Sequence, residues 1–105
     1  MLDSFPAVGH RYLVDFDAFR VQLFFESETS MTYTGVKADG SLGSSETVVT
    51  AIEQLRDLLF LVTWQESDKT TVVHVEDYQS LTIVTNITSP TGEFATYRGT
   101  MSLIS

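Results

Sequence analysis

Apolar and polar residues alternate along most of this chain with a period of two, the pattern of strands that bury one face. Tyr12, Val14 and Phe16 alternate with Leu13, Asp15 and Asp17; beyond a turn at Asp17-Ala18, Phe19, Val21, Leu23 and Phe25 alternate with Arg20, Gln22, Phe24 and Glu26. These two runs predict a hairpin. A polar turn at 28–30 leads into a third strand in which Met31, Tyr33 and Gly35 share a face. Residues 38–45 are dense in Gly and Ser and contain an Asp-Gly step, so they predict a flexible loop.

Residues 46–60 fit two templates. Val48, Ala51, Ile52, Leu55, Leu58 and Leu59 make a helical stripe. Thr47-Val48-Val49-Thr50, however, is β-branched throughout, and such side chains lose freedom in a helix. Strand, turn, strand is the preferred reading, with room for a short helical turn at 53–58. Strands then follow at 59–66, 70–76, 81–88 and 94–103, separated by turn signals at 67–69, 77–80 and 89–92.

The outcome is a meander of about eight strands, which closure would relieve of both unpaired edges. The predicted fold is therefore all-β: a small closed antiparallel up-and-down barrel, just wide enough to be filled by side chains or to hold one small ligand. An open, strongly bent sheet is the competing arrangement.

At 105 residues the chain makes a single domain, 1–105, and its 43% hydrophobic content suits a packed core. A net charge of −8 repels nucleic-acid phosphates and anionic membranes, which argues against both as partners. The absence of cysteine excludes disulfides and thiolate chemistry. No apolar run approaches the ~20 residues of a membrane span. The N-terminus lacks the features of a signal peptide, and a cytoplasmic protein is expected.

Strand parity selects the candidate chemistry. Val62, Trp64 and Glu66 share a face, so an inward Trp64 brings Glu66 inward, where burial would raise its pKa and suit it to acid or base work. Alternatively Glu66 begins a solvated turn. On the partner strand Thr70, Val72 and His74 share a face, and His74 would join Glu66 as an acid/base pair or serve as an ordinary hydrogen-bonded histidine. Tyr12, Tyr33 and Tyr97 lie in predicted strands and either point hydroxyls at a ligand or simply fill the core. His10, His74 and scattered carboxylates lack tight ligand spacing, so no metal is expected. Neither a nucleophile elbow nor a phosphate-cradling loop is present, and no cofactor is expected.

The run Phe60-Leu61-Val62-Thr63-Trp64-Gln65-Glu66, then Thr70-Thr71-Val72-Val73-His74-Val75-Glu76-Asp77, Thr85-Asn86-Ile87 and Arg98-Gly99-Thr100 resembles the MoaF-like calycin-type (lipocalin-like) barrels. Gly9-His10-Arg11-Tyr12 and Ser30-Met31-Thr32-Tyr33 extend the resemblance over nearly the whole chain. More remotely the pattern is similar to the phenolic acid decarboxylases, small barrels whose Trp-x-Glu strand carries a catalytic glutamate matching Glu66. That family's two tyrosines and its arginine fall near Val14, Phe16 and Gly43, so its reaction does not carry over. The resemblance implies a barrel, a cavity and a homodimer.

Three functions follow as expectations. The first is a module binding a small, largely apolar or aromatic organic molecule, with Trp64 as wall, Glu66, His74 and Tyr33 as anchors, and Tyr12, Thr70 and Tyr97 contributing. The second is a lyase or isomerase using Glu66, with His74 or Tyr33 as its partner. The third is an interaction module with a solid core.

Overall fold

The computed structural model of the chain describes residues 5–105. Its nine strands are β1 (Arg11–Asp15), β2 (Arg20–Phe25), β3 (Ser30–Val36), β4 (Leu42–Val49), β5 (Ala51–Arg56), β6 (Leu59–Gln65), β7 (Thr71–Asp77), β8 (Thr82–Thr88) and β9 (Phe94–Leu103). They form one antiparallel sheet in the order β4-β3-β2-β1-β9-β8-β7-β6-β5. The described residues contain no helix, and so none long and apolar enough to cross a membrane.

Two connections curl this sheet. The first and last strands pair in its middle, from Tyr12 opposite Leu103 to Asp15 opposite Thr100. Its two edges, β4 and β5, are consecutive in the chain and meet at Thr50. Thr50 is buried and pinned to the β2–β3 turn: its N–H donates to the Thr29 carbonyl (3.0 Å) and its hydroxyl to the Glu28 carbonyl (2.8 Å). There the chain leaves β3 and joins β6, with Ala51 opposite Thr63.

Register follows the buried face. Met31 lies opposite Phe25, Trp64 opposite Val72, and His74 opposite both Val62 and Thr85. A slip of one residue would turn every one of these side chains to solvent, so the alternation specifies the pairing. Phe5 packs edge-to-face on Phe25, Phe60 and Tyr78 at 4.8, 5.0 and 5.4 Å, plugging one end of the curl with aromatic rings. The opposite end, beyond Leu23 and His74, is hollow.

Three details correct the expected barrel. The strand count is nine rather than about eight, because Ala51–Arg56 forms a strand of its own, β5, ahead of β6; in addition residues 42–45, read as loop, begin β4. The Asp-Gly turn is confined to 37–41, where Lys37 N–H donates to Ser41 O at 2.8 Å and Gly40 takes a positive φ of 90°. Glycine and serine serve in β4 because, as an edge strand, it asks little of its outward side chains, and so its composition resembles a loop. Residues 51–56 are extended, as the preferred strand, turn, strand reading has it, without the helical turn allowed at 53–58, since pairing with β6 satisfies the backbone groups on the side facing it. Finally, β4 and β5 share no hydrogen-bonded ladder, so the sheet is curled but open instead of a closed barrel.

Candidate functional site

The hollow end holds a cavity of about 240 Å³. Phe16, Val21, Leu23, Trp64, Val72 and Ile87 form its apolar wall, while Phe19, Arg20 and Ser44 stand among the more exposed lining residues at its mouth. Four polar side chains complete the lining: Tyr33, Glu66, His74 and Thr85. Each arrives by strand parity from a different strand or turn. Trp64 stacks with Tyr33 at 6.4 Å between ring centroids and meets the His74 ring edge-on at 4.7 Å.

Near the mouth, the Trp64 indole N–H donates to Glu66 Oε2 at 3.2 Å. Burial raises the Glu66 pKa above that of an ordinary carboxyl, an effect that the Trp64 hydrogen bond partly offsets. Tyr33 donates its hydroxyl to Glu46 Oε1 at 2.7 Å, and burial followed by this bond pushes its own pKa upward. Glu46 also accepts the Ser67 N–H through Oε2 at 2.9 Å. With the Tyr33 bond as the leading cause, these contacts hold the Glu46 pKa below the usual carboxylate range.

Deeper in, His74 Nδ1 lies 2.8 Å from Glu76 Oε2. Glu76 is fully buried, and its second oxygen accepts the Tyr78 hydroxyl at 2.6 Å. With Glu76 ionised, its oxygens offer only lone pairs; in that state the proton of the His74 bond sits on Nδ1 and Nε2 keeps its own lone pair. Nε2 is the ring nitrogen left for an occupant of the cavity. Tyr78 in turn packs edge-on against Tyr12 at 5.5 Å, so the polar chain ends in the aromatic plug. For Tyr78, burial and then the Glu76 charge drive the pKa upward; Tyr12 shifts in the same direction, again with burial first.

Opposite His74 on β8, Thr85 is fully buried and lines the cavity, and its Oγ1 has no hydrogen-bond partner. A hydroxyl stripped of water and left unpaired costs about 1–3 kcal/mol. It is a polar atom whose partner the fold does not supply.

Of the residues singled out in the sequence, Trp64, Tyr33, Glu66 and His74 come together around this cavity. Tyr12 lies instead in the plug beside Tyr78. Tyr97 packs on Phe16 and Phe19, and Thr70 donates its N–H to Asp68 in the β6–β7 turn. Sequence reasoning missed Glu76, Thr85, Tyr78, Glu46 and Arg20. Parity could have supplied two of them, because Glu76 stands two residues from His74 on one strand face and Thr85 alternates with Ile83 and Ile87. Among the described residues no three acidic or histidine side chains gather as metal ligands.

A curled antiparallel sheet, plugged at one end and hollow at the other, defines a small calycin-like domain built around an internal cavity. The MoaF-like family profile matches residues 8–102, and the chain belongs to that family. Its fold is similar to that of a crystal structure from Burkholderia vietnamiensis described as a "putative beta-lactamase", with a TM-score of 0.87 and 21% identity, covering 98% of this chain and 100% of that one. At this identity the likeness concerns the fold alone. A comparison with curated proteins gives no match.

Proposed function

We propose that this domain binds a small, largely apolar organic molecule in its cavity, wall-on to Trp64 and hydrogen-bonded at the floor by Thr85 and His74, with Glu66 and Tyr33 nearer the mouth. The observation that carries this reading is the unpartnered Thr85 hydroxyl, fully buried in the wall of a largely apolar cavity. A volume of about 240 Å³ falls just below the ~300–1,000 Å³ of drug-sized pockets. The occupant is therefore of about one substituted ring, carrying a hydroxyl or carbonyl for the floor.

Thermal-shift and Trp64 fluorescence titrations of wild type and Thr85→Val with phenols and small aryl ketones test this. Some of these compounds should stabilise the wild type and perturb the single tryptophan, and Thr85→Val should bind them about tenfold more weakly. The free variant should be at least as stable as wild type, since it loses an unpaired hydroxyl. If no compound binds, or if Thr85→Val binds equally well, the reading is wrong.

A further inference from the structure

We propose that His74 is a general base that removes a proton from a carbon next to a carbonyl group in the bound molecule, with Glu66 as the acid that protonates the carbonyl oxygen, so that the domain catalyses enolisation or double-bond isomerisation of a small aryl ketone. This rests on the binding reading above and goes beyond it.

The geometry of His74 supplies the argument. A buried carboxylate bonded to Nδ1 at 2.8 Å sets the ring's tautomer and orientation, and it places a negative charge beside the imidazolium formed when Nε2 takes a proton. Binding alone requires no such pair. Burying a carboxylate completely is expensive, and here two donors, His74 and Tyr78, hold it in place. Glu76 and Tyr78 act through His74 and are positioning residues. The other charged groups around the cavity are Glu66 and, at the mouth, Arg20, whose guanidinium donates to the Lys37 carbonyl at 3.2 Å. Glu66 lines the same cavity, and its burial keeps it protonated to a higher pH than an ordinary carboxyl.

The step balances without a co-reactant. The Nε2 lone pair takes the proton; the C–H bonding pair becomes a C=C bond, and the carbonyl π pair moves to oxygen, which accepts the Glu66 proton. Return of a proton from His74 to the same carbon regenerates the ketone, while return to a conjugated carbon further along gives the isomer. The enol O–H proton then goes back to Glu66.

Two measurements decide it. The first needs no ligand: 15N NMR of the imidazole should show neutral His74 protonated on Nδ1, and an Nε2–H tautomer would overturn the proposal. The second follows proton-to-deuteron exchange in D2O at the activated carbons of phenylacetone, 2-indanone and benzoylacetone, with Trp64 fluorescence reporting binding. Wild type should speed exchange over buffer. His74→Asn should lose at least about 100-fold of that rate with binding retained, and Glu76→Gln should lose rate while still binding. Probes that bind without exchanging faster, or exchange that survives His74→Asn, would remove the base and leave the binding reading standing. A panel that fails to bind at all would overturn both.

Discussion

Glu66 sits where two opposing effects meet. Loss of solvent disfavours its charge, while the hydrogen bond from the Trp64 indole favours it; burial dominates, and its pKa rises above the ordinary value of 4.5. The consequence for stability has a definite sign. A group that holds its proton more tightly when folded contributes stability in full below its unfolded pKa, and that contribution disappears as pH climbs through the folded value. Urea unfolding of wild type and Glu66→Gln from about pH 4 to about pH 8 should therefore show the wild type losing ground to the variant as pH rises from ordinary glutamate values upward. A difference that stays flat with pH would mean that Glu66 is solvated.

At the scale of elements, the close approach of the end of β1 to β9 depends on an absent side chain. A Cβ built on Gly99 would collide with the backbone carbonyl of Asp15 and press on the Phe16 ring. Backbone cannot yield as a flexible side chain does, so Gly99→Ala should cost about 1–3 kcal/mol in chemical denaturation and loosen the Phe16 wall of the cavity. A neutral substitution would show that β1 can shift away from β9. The β3–β4 hairpin teaches a related lesson. Its turn was visible as Asp39-Gly40, yet the strand after it was not, because Leu42-Gly43-Ser44-Ser45 lacks the β-branched residues that mark other strands. Such an edge strand draws its order from its partner, β3, rather than from its own propensity.

For the whole molecule, the seam between β4 and β5 is the weakest line in the sheet. No ladder crosses it, and beyond Thr50 the Glu46 carboxylate links β4 to the β6–β7 turn through Ser67 N–H and to β3 through the Tyr33 hydroxyl. Hydrogen exchange should show the Ser67 amide of Glu46→Ala exchanging about tenfold faster, with core amides of β6 to β8 little changed. In the wild type the same protection should be present above the ordinary glutamate pKa and lost as pH falls through the lower folded value of Glu46. Equal exchange in wild type and variant would mean that the edges hold together without this link.

Much of this was legible in the chain. The period-two pattern from Tyr12 to Leu103 settled an all-β fold in hairpin order, and motifs such as Trp64-Gln65-Glu66 and His74-Val75-Glu76 carried the family resemblance that the profile match over residues 8–102 establishes. Parity put Trp64 and Glu66 on one strand face and His74 on a face of the partner strand, but left open whether Glu66 turned to solvent, because alternation fixes which residues share a face and not which face is inward. Long-range contact decided the rest. Whether β4 and β5 join in a ladder depends on how far the sheet curls at Thr50, and no local pattern encodes that curvature. That Tyr78 returns from a turn to hold Glu76, and that Thr85 finds no partner beside His74, are relations between strands brought together by pairing. A sequence shows which face a residue takes; the partners it meets there depend on register and curvature, which are properties of the assembled sheet.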